Sequence, residues 1–271
     1  MPLVPTRAGE VMYEARGEGV PIVMLHATLH DRRDYEVVAE HFAKKHKAIT
    51  VDWPWHGDSK GTSNKEYLSA VGFADVLEDV VDGLELGSAM FIGNSVGGFA
   101  AARFAINQPD KVRGLVLVNT GGFVEWTPVT RLFTKPLGSP SVSRLIMPYL
   151  VRRYMSPQTS HDEEITCRAA ARAGTADGAS TAAALWRSFL HPEHDLRPRA
   201  TNIKAPVLLI WGTRDPIFPK TAGVAAQRCI PGSTLEYFDA GHVVFSSKPD
   251  KFLDVVDSFI ESIVAGKKLV A

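Results

Sequence analysis

The 271-residue chain is 45% hydrophobic and 22% charged, with a formal net charge of +0. This is the balance of a globular protein with a sizeable core, at a length that suits one large α/β unit, and it offers no field of either sign to attract nucleic acid or an anionic membrane. No apolar run reaches the ~18 residues needed to span a bilayer; the N-terminal MPLVPTRAGE lacks a signal-peptide core; and Cys167 and Cys229 lie outside any CxxC spacing, which speaks against a zinc site or disulfide framework and fits a reducing, cytoplasmic setting.

Taken in chain order, Val11–Ala15 reads as a strand ending in a Gly17-Glu18-Gly19 turn. Pro21–Leu25 is a short, wholly apolar run, the mark of a strand buried on both faces. Residues 34–45 have helical spacing through Tyr35, Val38, Ala39 and Phe42, and Ala48–Val51 is another buried strand. Residues 67–86 predict a long helix, Ala89–Ile92 a strand, 96–107 a helix, and Leu115–Val118 and Val207–Ile210 two more strands. Residues 217–229 predict a helix, Thr234–Phe238 a strand and 249–264 a closing helix. Apolar strands alternating with helices mean an α/β fold, a mostly parallel sheet wound on both faces. The rhythm breaks between Phe123 and Ala200, where two helices are expected, one after a Thr159-Ser160 cap and one across Ala182–Leu190. We read 123–200 as an inserted helical cap, and 1–122 with 201–271 as the core.

A parallel sheet binds its ligand at the carboxyl ends of its strands. One such end runs into Phe91-Ile92-Gly93-Asn94-Ser95-Val96-Gly97-Gly98-Phe99. Ser95 there is either a helix-capping serine or a nucleophile. Gly93-x-Ser95-x-Gly97 is the spacing of a nucleophile elbow, where a tight strand-to-helix turn leaves no room for side chains at the flanking positions. A serine hydroxyl needs a base, and the base needs an orienting carboxylate. Asp215 in WGTRDPIFP follows the Val207–Ile210 strand, and His242 in AGHVVFSSKPDKF follows the last strand. Asn119 occupies another strand end where an acid could sit, but it is an amide.

These three stretches, in this order, resemble the α/β-hydrolase superfamily over roughly Val11 to Val264. The resemblance implies Ser95 as nucleophile, His242 as general base and then acid, Asp215 as its partner, and backbone N–H groups of Val96 and Thr28 as the oxyanion hole. It also marks departures. Ala27 stands where the family's loop after the first buried strand has glycine, and Trp55 in VDWPWHGDS replaces another glycine, while Asp52 and His56-Gly57-x-Ser59 are kept. Trp53 and Trp55 are either packing or an aromatic wall of the pocket. His26, Asn94, Trp126, Tyr154, Trp186 and Val243 are candidate substrate contacts, with His26 outside the triad. Phe133, Met147, Met155 and Phe189 are further apolar candidates from the cap.

The fold hosts many reactions, so the nucleophile must discriminate among them. Serine points to hydrolysis of an ester, lactone or thioester of a small to medium organic substrate. GNSVGG also resembles the elbow of the meta-cleavage-product hydrolases, which break carbon–carbon bonds, although a glycine-rich oxyanion loop and a tryptophan after the histidine are missing. A non-catalytic ligand-binding role is the third reading. The expected partner is a small molecule, with no cofactor, metal, nucleic acid or membrane.

Overall fold

The apolar runs assemble as one sheet in the computed structural model, which describes residues 2–265. In chain order the elements open with β1 (Leu3–Thr6), β2 (Gly9–Arg16), β3 (Pro21–Leu25), α1 (Glu36–Phe42), β4 (Lys47–Val51), β5 (Lys60–Gly61) and α2 (Ala70–Gly83). Next come β6 (Ala89–Asn94), α3 (Val96–Asn107) and β7 (Val112–Val118). Four helices follow: α4 (Pro128–Thr134), α5 (Pro140–Met155), α6 (Ser160–Ala173) and α7 (Ala176–Phe189). The chain then returns to the sheet through β8 (Val207–Gly212), α8 (Lys220–Cys229), β9 (Thr234–Phe238), α9 (Val244–Ser247) and α10 (Pro249–Val264).

The strand order is β1-β2-β4-β3-β6-β7-β8-β9, with β5 beside β2. Every pairing from β4 through β9 is parallel, and the pairings of β2 with β1, β4 and β5 are antiparallel. Alternate side chains feed two cores. Phe91, Leu115, Leu117 and Leu209 join α2 and α3 on one face. Ile92, Val116, Val118 and Ile210 join α1 and α10 on the other. From β3 the chain moves outward to β4, then returns past β3 to β6. The strand order therefore reverses between β3 and β6, where open α/β sheets form ligand crevices. The loop after β3 and the turn after β6 lie side by side at that crevice, with Leu25 paired to Gly93.

Several element boundaries differ from expectation for local reasons. The predicted helix at 34–45 is a 3-10 turn over Arg32–Tyr35 followed by the shorter α1. The one expected from 217 begins at Lys220, because the backbone N–H groups of Ile217 and Phe218 donate to Asp215 Oδ1 at 2.8 and 3.3 Å. In the 123–200 segment, Thr159 caps α6 as expected by accepting from Asp162 N. α7 starts earlier than predicted, with Thr175 capping Gly178 N. α4 and α5 were not anticipated, because exposed apolar and buried polar residues blur their stripes, although α5 does bury Met147, Val151, Tyr154 and Met155. Leu132 and Phe133 are 71% and 75% exposed while Thr134 is buried, and Leu145 is 81% exposed while Ser143 is fully buried.

Candidate active site

β6 enters α3 through Ser95, whose φ of 56° and ψ of −116° put an L-residue in a strained conformation. Ser95 N donates to Val118 O at 3.0 Å, which ties the turn to β7. The flanking glycines are sterically required. A Cβ on Gly93 would come within 2.5 Å of Gly97 O, and one on Gly97 within 2.2 Å of Leu25 O. From Ala89 through Ala102, Ser95 is the one residue that is not buried. The turn lifts this side chain out of the core at a helix start, where unpaired N–H groups and the dipole favour negative charge.

Asp215 and His242 meet as expected. His242 donates through Nδ1 to Asp215 Oδ2 at 2.6 Å, with the side chains 5% and 0% exposed. The histidine loop is held from three sides. Its N–H donates to Tyr154 O in α5 at 3.0 Å, and its carbonyl accepts from Asn94 Nδ2 at 3.0 Å and Asn119 Nδ2 at 2.9 Å. Asn119 also accepts from Gly212 N at 2.9 Å, joining the acid loop to the histidine loop. A carboxylate there could accept but not donate, so the amide has a positive reason to be present. The His242 ring stacks on Phe218 at 5.7 Å and meets Tyr154 edge-on at 5.0 Å.

The loop after β3 resolves the Ala27 departure. Among the described residues Ala27 is not at positive φ; Leu29 takes the left-handed turn at φ 71°. Alanine at 27 is therefore unstrained. His26 donates through Nδ1 to Ala27 O at 2.7 Å and accepts at Nε2 from Trp53 N at 3.0 Å. Burial lowers its pKa, so it stays a neutral brace between this loop and the end of β4. Trp55 does occupy a glycine-like conformation, φ 61°. Its ring packs over Gly61 of β5, and Trp53 stacks on Phe73 of α2 at 4.9 Å. Neither reaches the cavity, so both are packing.

A cavity of about 450 Å³ lies between the strand ends and helices α4, α5 and α7. Ser95, Val96, Thr28 and His242 are on its wall, as are Trp126, Tyr154 and Trp186, while Asp215 stands behind His242. Three candidate contacts are elsewhere. His26 is the brace just described, Asn94 supports the His242 carbonyl, and Val243 is fully buried in the core. Of the further cap candidates, Met147 and Phe189 line the cavity; Met155 is fully buried and Phe133 points to solvent. Sequence reasoning missed Phe218 and His194 on the wall. Phe218 was within reach, two residues past the Asp-Pro of the acid loop. His194 carries no motif. Among the described residues no group of three or more His, Cys, Asp or Glu is placed to hold a metal ion, and no helix is long and apolar enough to cross a membrane.

With this geometry in place, comparison with known proteins gives a match to a family model described as "Alpha/beta hydrolase family" over residues 22–255. The chain belongs to the alpha/beta hydrolase family. It is 28% identical to a 2-hydroxy-6-oxononadienedioate/2-hydroxy-6-oxononatrienedioate hydrolase of Escherichia coli over 222 residues, covering 79% of this chain and 76% of that protein. An enol-lactonase of Burkholderia xenovorans superposes with a TM-score of 0.81 at 20% identity, covering 96% of this chain and 100% of that one. An esterase of Exiguobacterium antarcticum gives 0.82 at 20% identity, with 96% and 99% covered. At such identities the two structures establish a shared fold. Against this family background, the Ala27 and Trp55 positions of this alpha/beta hydrolase are local variations on a retained frame.

Proposed function

We propose that this hydrolase cleaves an uncharged carboxylic ester, lactone or thioester of a small to medium organic substrate through an acyl-enzyme on Ser95. The observation that carries the reading is convergence. Ser95 on its strained turn, and His242 held by Asp215, open onto one mostly apolar cavity. In this mechanism His242 Nε2 accepts the Ser95 proton as Oγ attacks the carbonyl carbon. The resulting oxyanion receives the N–H groups of Val96 and Thr28. The imidazolium, stabilised by Asp215, then gives the proton to the leaving alcohol or thiol. Water, deprotonated by His242, attacks the acyl-enzyme, and the proton returns to Ser95 Oγ as the acid departs. We further propose that 123–200 acts as a cap, because Trp126, Tyr154 and Trp186 close the cavity over the strand ends.

Carbon–carbon hydrolysis is the second reading, favoured by the E. coli relative. The name of that relative's substrate specifies two carboxylates, and buried anions need cationic partners. Among the described residues no lysine or arginine lines this cavity, and its one charged wall residue is Glu125, 3.7 Å from Arg197. That favours an uncharged ester. Turnover of p-nitrophenyl butyrate, lost in Ser95→Ala, and fluorophosphonate labelling at Ser95 test the proposal. Equal rates in both proteins would sink it and leave the non-catalytic reading, and hydrolysis of ring-cleavage dienones alone would move the assignment to the second reading.

A further inference from the structure

Among the described residues His194 is the one histidine besides His242 on the cavity wall. It ends a 3-10 turn over Pro192–His194, just before the chain returns to β8. Its ring is stacked on Phe99 of α3 at 4.5 Å and tilted against Phe189 of α7 at 5.2 Å. Phe99 lies one helical turn along α3 from Ser95. The edge carrying Nε2 and Cε1 faces Gly121, where a Cβ would stand 3.1 Å from Nε2. Gly121 also lines the cavity. A side chain at 121 would crowd that edge.

The residue is 5% exposed. Among the described residues neither ring nitrogen has a hydrogen-bond partner, and burial, opposed only by Asp195, lowers its pKa to about 4. It is neutral at pH 7, with one donor and one acceptor. His26 and His30 show the contrast. Each is as deeply buried, but both of their ring nitrogens are engaged within the protein. Unlike His56 Nε2, which is sealed in without a partner, neither His194 ring nitrogen is closed off, and the residue lines the cavity. A neutral imidazole turned toward a cavity is suited to a ligand.

We propose that His194 is a specificity-determining residue that hydrogen-bonds an uncharged polar group of the substrate, a hydroxyl or carbonyl set apart from the scissile carbonyl. The inference rests on the ester-hydrolase reading and sharpens it. The substrate is mainly apolar, to suit the tryptophan and phenylalanine walls, and carries one neutral oxygen function beyond the bond that is cut. A carboxylate there would meet a neutral ring, no lysine or arginine among the described wall residues, and Glu125. Sites built to hydrogen-bond a substrate group reject analogues lacking it far more strongly than apolar pockets reject a missing methylene.

The test is a binding measurement, so it does not depend on turnover. Ser95→Ala protein is titrated calorimetrically with an eight-carbon methyl ketone and with its mono-hydroxylated isomers, and the series is repeated in Ser95→Ala/His194→Phe. At least one isomer is expected to bind about tenfold or more tighter than the parent ketone, equivalent to about 1.4 kcal/mol. The gain should vanish with phenylalanine, which keeps the stacking on Phe99. Ser95→Ala/His194→Gln retains a donor and an acceptor, should recover part of the gain, and covers a fold disturbed by the ring exchange. No gain for any isomer in Ser95→Ala protein, or a gain that survives His194→Phe, overturns the proposal. Failure of fluorophosphonate to label wild-type Ser95 would overturn the ester-hydrolase reading without altering the binding result.

Discussion

Among the described residues two histidine–carboxylate pairs are buried, and they differ at the second ring nitrogen. His242 donates through Nδ1 to Asp215 at 2.6 Å, and among the described residues its Nε2 has no hydrogen-bond partner. His30 donates through Nδ1 to Asp34, but its Nε2 is 3.1 Å from the Tyr154 hydroxyl. Asp34 is also bound by Arg168 at 2.6 Å, and Arg168 reaches Asp31 at 3.1 Å. Burial alone would raise the Asp31 carboxyl pKa, but Arg33 and Arg168 hold it well below the usual range. The first pair is completed on one side and open on the other. The second is completed on both and joins the loop after β3 to α5 and α6. A histidine with a carboxylate is therefore not evidence of catalysis until its second nitrogen is traced.

The largest expected effect separates the pairs by turnover. Asp215→Asn should lower kcat for p-nitrophenyl butyrate by about ten-thousand-fold, through the wrong tautomer and an unstabilised imidazolium. Asp34→Asn should leave kcat within about tenfold. Comparable losses in both would erase the distinction. Stability should respond the other way. Asp34→Asn strips a buried partner from His30 and Arg168 and should cost about 3 kcal/mol in urea unfolding, more than Asp215→Asn costs.

His194, buried without any carboxylate bond, sharpens the comparison through pH. Its pKa is depressed from 6.5 to about 4 by burial. Between these values the unfolded chain binds a proton that the folded protein refuses. Its contribution is therefore complete above about pH 6.5 and is lost as pH falls toward about 4. Up to about 3 kcal/mol of the pH dependence in this window should disappear in His194→Phe, measured as the difference in urea unfolding at pH 7 and pH 4.5. Burial also depresses His26 and His56, and comparison with wild type cancels their share. The smallest effect is expected from Tyr154→Phe, which uncaps His30 Nε2. It should cost about 1–2 kcal/mol, with kcat changed less than about tenfold.

What the sequence made legible follows from where the constraints are local. The parallel strands were readable because burial on both faces leaves continuous apolar runs such as Val207–Ile210. The elbow was readable because glycine is sterically required at 93 and 97. β1 and β5 were not, being short edge pieces with mixed burial, and Pro5 weakens the strand signal of β1. α4 and α5 escaped because exposed apolar residues such as Leu132, Phe133 and Leu145 blur the stripe that should face the core, although α5 does bury Met147, Val151 and Met155. Asn94 was misassigned to the substrate and Asn119 considered only as a missing acid. Their shared task, donating to the carbonyl of His242, depends on β6, β7 and the histidine loop converging from three distant parts of the chain. His194 was invisible for the same reason.

Tyr154 touches His242 with its ring, holds that residue's N–H with its carbonyl, and reaches His30 with its hydroxyl. Its neighbourhood is tight, since a Cβ on Gly241 would fall within 1.9 Å of Met155 O. An outward swing of the carboxyl end of α5 would withdraw the carbonyl that seats His242. Trp126, Thr127 and Thr130 border the same cavity without bonding to the Asp215–His242 pair. The segment between β7 and β8 is thereby tied to the histidine loop at the carboxyl end of α5 and contributes cavity wall without such a tie at Trp126, Thr127 and Thr130.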